Sequence, residues 1–218
     1  MTTAVEAVIF DCDGTLVDSV TLATEVLVGY LSDLGHGVPA SEIGERFACG
    51  RMSELLLDLE RTLGCALPND FVGELRRRRD GAMRARLRPI DGARELLAGL
   101  MVPMAVASNG PREQTTLSLE LTGLLPFFSG RVFSAYDVGS WKPDPGLLLH
   151  VATQLGVEPA RCLVVEDAGL GVDAALAAGM PVLALCESRW PPDRVRTIRH
   201  LSEVRDHVPA RRPCSPDG

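Results

Sequence analysis

From Arg88 onward the chain alternates short apolar runs with amphipathic stretches, and this alternation narrows the possible folds more than any other feature. Helical patterns cover Asp91 to Leu100, Glu113 to Leu121, Gly146 to Leu155 and Leu170 to Ala178. Among them stand the apolar runs Met104 to Ala107, Val132 to Ser134, Cys162 to Val165 and Val182 to Leu185. Runs this short, separated by helices, belong in a parallel sheet covered on both faces, which is an α/β, Rossmann-like architecture. One more apolar run, residues 5 to 10, lies far upstream. The simplest topology makes it the first strand of the same sheet.

Between that run and Arg88 there is no strand signal. Val20, Ala23, Val26, Leu27, Tyr30, Leu31 and Leu34 recur at three- and four-residue steps, and the pattern ends near Gly35 and Gly37. Helical patterns continue through Ser41 to Phe47, Ser53 to Leu63 and Asn69 to Leu87. The expected organisation is therefore an α/β core from residues 1–17 and 88–208, with 18–87 inserted as an all-helical cap. Residues 209–218, PARRPCSPDG, read as a disordered tail.

The junction between first strand and cap carries the first chemistry. Val8-Ile9-Phe10 runs directly into Asp11-Cys12-Asp13-Gly14-Thr15, so two carboxylates emerge at a strand's carboxyl end, where open α/β sheets hold ligands. One carboxylate can attack phosphorus, and another two positions on can manage the leaving group's proton. An Asp-rich turn is the plainer alternative. The later strand ends add to the set. Ser108-Asn109-Gly110 offers hydroxyl and backbone donors for a phosphate, or an ordinary turn. Of 22 basic residues, 21 are arginine and one, Lys142, is lysine, held in Ser140-Trp141-Lys142-Pro143-Asp144-Pro145. A compact ammonium on a stiff loop can offset repulsion between a carboxylate and a phosphoryl group. Glu166 and Asp167 follow the Cys162 run at a helix start, where they either cap the helix or, with Asp11 and Asp13, form a hard-cation site suited to Mg2+.

Charge and cysteine usage exclude other classes. A net charge of −7 gives no overall positive field to attract nucleic acid or an anionic membrane. No window approaches the ~18 uninterrupted apolar residues of a membrane helix, and nothing at the amino terminus reads as a secretory signal. A cytoplasmic location is the default expectation. The six cysteines contain no CxxC pair and read as reduced thiols, and the four histidines suit surface or capping roles.

The ordered set DCDGTLVDS, SNG, KPDP and VEDAGLG resembles the haloacid dehalogenase superfamily, specifically its phosphatases with a helical cap after the first strand. The match spans roughly residues 5 to 187. The resemblance implies that Asp11 becomes an aspartyl-phosphate, Asp13 serves as general acid and base, and Ser108, Asn109 and Lys142 hold the phosphoryl group. It also implies Mg2+ on Asp167 and Asp11, on the backbone carbonyl of Asp13, and on Glu166 directly or through water. The runs PMAVASNGPREQ and FSAYDVGSWKPDPGLLLHVA look like the bacterial sugar-phosphate phosphatases, including those acting on 6-phosphogluconate, and also like the β-phosphoglucomutases. The mutases carry a cap histidine shortly after the aspartate pair and a cap lysine. Here Ala23 lies ten residues after Asp13, no histidine occurs between 14 and 35, and the cap contains no lysine. Hydrolysis of a small phosphorylated metabolite by a monomer is what the resemblance implies. Arg51, at a cap turn where the family often contacts substrate, is a candidate for a substrate carboxylate or second phosphate. Arg46 and one or two of Arg76 to Arg79 are further candidates, the rest of that run suiting a solvated face.

Overall fold

The computed structural model describes residues 4–41, 52–185 and 195–209. Within them the strands are β1 (Ala7–Phe10), β2 (Met104–Ser108), β3 (Val132–Ser134), β4 (Cys162–Glu166), β5 (Val182–Leu185) and β6 (Arg196–Ile198). They form one parallel sheet in the order β3-β2-β1-β4-β5-β6. The upstream run is thus the central strand, with Ile9 between Ala105 of β2 and Val164 of β4. Every residue of β1 is fully buried because both faces of the sheet are covered, which is why the run is apolar throughout instead of alternating.

The helices are α1 (Ser19–Asp33), α2 (Met52–Leu63), α3 (Phe71–Arg86), α4 (Ala93–Gly99), α5 (Arg112–Leu121), α6 (Ala135–Val138), α7 (Gly146–Leu155) and α8 (Gly169–Ala177). The two-residue period of β1 divides the core between the faces. Val8 and Phe10 pack with Leu96 and Leu97 of α4 and Leu119 of α5. Ala7 and Ile9 pack with Leu147, Leu148 and Val151 of α7 and Val172 of α8. Helices α1 to α3 have a cluster of their own, Leu27, Tyr30, Leu31, Leu59, Phe71 and Leu75, in which the Tyr30 and Phe71 rings stack 4.8 Å apart.

Two elements near the carboxyl-terminal end have no counterpart in the sequence pattern. Strand β6 is three residues long, and of Arg196, Thr197 and Ile198 only Ile198 is buried, so there is no apolar run to see. Leu201–His207 is a 3-10 helix where the sequence pattern lapses. Its three-residue turn buries Leu201 and Val204, a spacing too short to register as an amphipathic α-helix. Short α6 was likewise not anticipated. The Ser134 hydroxyl caps it by accepting the Tyr136 N–H at 3.1 Å, and Gly139 ends it at φ 76°. The helix expected over Glu42 to Phe47, the candidates Arg46 and Arg51, and the tail beyond Pro209 lie outside the described residues.

The fold positions chemistry in one place. In a parallel sheet every strand delivers its carboxyl end to the same edge, and ligands settle where the strand order reverses. Here β1 leads to β2 on one side and β4 on the other.

Candidate active site

Asp11 follows β1 directly, and its N–H continues the sheet pairing to the Val165 carbonyl at 3.0 Å. The chain then folds back tightly: Leu16 and Val17 donate to the Cys12 carbonyl, and Gly14 donates to that of Val17. Gly14 adopts φ 88°, and a Cβ there would sit 2.1 Å from Asp167 Oδ2. Both facts require glycine. Across the switch point Glu166 ends β4 and Asp167 follows it. Neither caps the first turn of α8, although Glu166 Oε2 accepts the N–H of the N-cap residue, Ala168, at 3.3 Å. Instead the Glu166 carboxylate lies against Lys142, and Asp167 Oδ1 accepts the Thr15 hydroxyl at 3.1 Å. Gly171 makes room for this arrangement, since a Cβ there would fall 1.8 Å from Glu166 Oε1.

Lys142 is 5 % exposed, and its ammonium donates to Asp11 Oδ1 at 2.7 Å, Glu166 Oε1 at 2.5 Å and the Ala107 carbonyl at 2.8 Å. All three ammonium donors are therefore used. Its backbone is held as firmly. The Asn109 side chain accepts the Lys142 N–H at 2.9 Å and donates to the Lys142 carbonyl at 3.1 Å, tying the loop after β2 to the loop after α6. Farther along, Asp144 Oδ1 accepts both the Ser140 hydroxyl at 2.6 Å and the Gly146 N–H at 2.8 Å. Those bonds hold the Asp144 carboxyl below its usual range. Ser108, buried at the end of β2, accepts the Gly110 N–H at 3.0 Å.

Electrostatics follow from four carboxylates around one ammonium. Burial pushes Glu166 up to about 8 against the pull of Lys142, with Asp11 adding to the rise. Burial and then Asp11 push Asp167 up to about 7. Asp13 faces the open cleft, and the low-dielectric walls around it and neighbouring Asp11 raise it, while a 2.5 Å hydrogen bond from the Ser19 hydroxyl partly offsets the rise. For Lys142, burial works to lower the pKa, but Asp11 and Glu166 together overcome it and raise it. Cys12 is no competing nucleophile, because burial and Asp13 hold its thiol well above the ordinary range.

One oxygen from each of Asp11, Glu166 and Asp167 lies within 4.8 Å of the others. Three carboxylates gathered this closely, all offering oxygen, fit a small hard cation and do not fit zinc, which favours nitrogen and sulfur. These residues open onto a cavity of about 660 Å3, whose far wall comprises Val20 and Ala23 of α1 and Arg76, Arg79 and Met83 of α3.

A family model for haloacid dehalogenase-like hydrolases matches residues 5–179. The chain belongs to this family. Among haloacid dehalogenase-like relatives, the 6-phosphogluconate phosphatase of Escherichia coli is 32% identical over 209 residues, covering 92% of this chain and 93% of the relative. A haloacid dehalogenase-like protein of Agrobacterium tumefaciens has a similar structure, with a TM-score of 0.82 at 32% identity, covering 93% and 97% of the two chains. A family hydrolase of Deinococcus radiodurans, solved with bound phosphate and sodium, gives 0.81 at 32% identity, covering 92% and 93%.

Of the residues singled out in the sequence, the fold of this haloacid dehalogenase-like chain brings Asp11, Asp13, Ser108, Asn109, Lys142, Glu166 and Asp167 to one cavity. The Asn109 side chain is committed to the Lys142 backbone. Sequence reasoning gave no part to Ser19, Thr15, Gly14 or Gly171. Ser19 is the first residue of α1, six positions after its partner Asp13, while the partners of Thr15, Gly14 and Gly171 become visible only when β1 and β4 lie side by side. Among the described residues no helix is long and apolar enough to cross a membrane.

Proposed function

We propose that this chain hydrolyses phosphomonoesters of small sugars or sugar acids through a phosphorylated Asp11, with Mg2+ held by the acidic cluster. That it is a phosphatase rests on its family and on the named phosphatase among its relatives. The observation that carries the reading is Lys142, which bridges Asp11 and Glu166 beside an open cavity. An ammonium there holds Asp11 in place while offsetting the charge of an arriving phosphoryl group.

In this reading Asp11 attacks phosphorus and the ester P–O bond breaks. The leaving alkoxide takes a proton from Asp13, whose raised pKa suits an acid and whose carboxyl the Ser19 hydroxyl holds in place. Asp13 then takes a proton from the water that attacks the phosphoaspartate, so that inorganic phosphate leaves and Asp11 is restored. The Ser108 hydroxyl donates to a phosphoryl oxygen, the Lys142 charge offsets that of the phosphoryl group, and Asn109 positions Lys142 by gripping its backbone. Asp11, Glu166, Asp167 and the Asp13 carbonyl would hold Mg2+, which supplies charge neutralisation between carboxylates and phosphate.

Residues 18–87 act as a cap that closes over the core of 1–17 and 88–208 before transfer and reopens for release. Water as acceptor, instead of a second sugar, is supported by the absence of lysine from the cap and by α1 presenting Ser19, Val20 and Ala23, with no histidine, to the cavity. The relative that acts on 6-phosphogluconate supports a sugar-acid phosphate as substrate. We place the enzyme in the cytoplasm as a monomer. Steady-state assays over a panel of sugar phosphates with Mg2+ test the reading. Asp11→Asn should abolish turnover of every accepted ester, and full activity in that variant would overturn it.

A further inference from the structure

We infer that Arg79, with Arg76 one turn before it on α3, binds a second anionic group of the substrate, at the end away from the transferred phosphoryl group. The inference rests on the phosphatase reading and adds a specificity contact to it.

Four arginines stand in a row, and the helix sends them different ways. Arg77 turns back to Glu74. Arg78 pairs with Asp33 at 2.5 Å and Glu74 at 2.7 Å and lies over the Tyr30 ring at 4.3 Å. Arg76 and Arg79, three residues apart and so on one face, line the cavity. Among the described residues neither meets a carboxylate at hydrogen-bonding distance. Among the described residues Arg76 has no ion-pair or hydrogen-bond partner. The buried Nε of Arg79 has no hydrogen-bond partner either, because Asp80, its nearest carboxylate, is 3.9 Å away. A buried N–H left unpaired is unfavourable and calls for an acceptor. Asp13, across the cleft, is close enough to feel the Arg79 charge.

The phosphoryl end of the substrate does not need these arginines. Lys142 and Ser108 already line the same cavity from the sheet edge. A cavity of about 660 Å3 exceeds what a phosphoryl group fills, so the body of a substrate reaches from the sheet edge to α3. A neutral hydroxyl there could be met by an amide or a hydroxyl. Two guanidinium forks instead match a carboxylate or a phosphate, either of which supplies paired oxygens.

The test compares kcat/KM for wild type, Arg79→Ala, Arg76→Ala and Arg77→Ala on three phosphoesters of equal chain length: an aldonic acid phosphate, a sugar bisphosphate and the matching neutral polyol phosphate. Arg79→Ala should lower kcat/KM for one or both doubly anionic substrates by about tenfold to a hundredfold, mainly through KM, and change the polyol phosphate by less than about threefold. Arg76→Ala should act in the same direction more weakly, and Arg77→Ala should change nothing. Loss on the aldonic acid phosphate alone assigns the contact to a carboxylate, and loss on the bisphosphate alone assigns it to a phosphate. Equal loss on all three substrates, or no loss on any, overturns the inference. Calorimetric binding of the phosphate-free aldonic acid reads the same contact without chemistry and should weaken in Arg79→Ala. A wild type that turns over none of the three overturns the phosphatase reading, while the calorimetric arm still decides the contact.

Discussion

Lys142 is the residue on which the sheet-edge side of the cleft turns. Replacing it with Met leaves Asp11 and Glu166 facing one another without a cation, and removal of one partner from a buried ionic set costs about 3 kcal/mol. Lys142→Met should therefore lower the urea midpoint by that equivalent and reduce kcat by about a hundredfold or more. Gly14→Ala tests the other side of the site, because its Cβ must displace Asp167 and adopt φ 88°. Mg2+ affinity, read by activation titration, should weaken about tenfold or more in that variant. At this scale the sequence is generous where composition or order singles out a residue. Lys142 is conspicuous as the one lysine, and Asp11 and Asp13 follow a strand-like run. It is silent about Ser19, whose partner Asp13 precedes it by six residues around a tight loop, a geometry that no helical or strand period describes.

Elements matter here because the site is assembled from loops that meet only in the fold. The Asn109 side chain bridges 33 residues of sequence to reach the Lys142 backbone. Asn109→Ala frees that loop without touching the Asp11 to Lys142 contact, so kcat should fall about tenfold to a hundredfold while the protein's melting temperature changes little. An unchanged kcat would remove Asn109 from the positioning scheme. The α/β alternation was legible because β1, β2, β4 and β5 are covered on both faces and are apolar up to the polar residues Ser108 and Glu166 that end β2 and β4. Strand β6 and the 3-10 helix after it were not legible. The first buries one residue in three, and the second repeats every three residues, so neither leaves a mark on a 3.6- or two-residue period. The division of the arginine run was only half legible. Helical spacing limits how many can face the cleft, but which two do so depends on Glu74, Asp33 and Tyr30 claiming the others.

For the whole molecule, the acidic cluster links stability to pH and to metal. Glu166 and Asp167 have folded-state pKa values of about 8 and about 7, above their ordinary values near 4. The native chain then binds protons that the unfolded chain has released, so the stabilisation is present at low pH and is lost as pH rises toward 8. In chelator the melting temperature should be higher at pH 6 than at pH 8. Mg2+ binds the ionised carboxylates, so the increase it produces should be larger at pH 8 than at pH 6. A melting temperature in chelator that climbs from pH 6 to pH 8 would contradict this linkage.

The central claim is that the phosphoryl group passes through Asp11 on its way to water, and the stereochemical course at phosphorus tests it most directly. A phosphorothioate ester made chiral at phosphorus with sulfur and two oxygen isotopes, hydrolysed in water carrying the third isotope, should give chiral thiophosphate with overall retention of configuration, the outcome of two successive in-line displacements. Inversion would mean that water attacks the substrate directly and would remove Asp11 as the nucleophile.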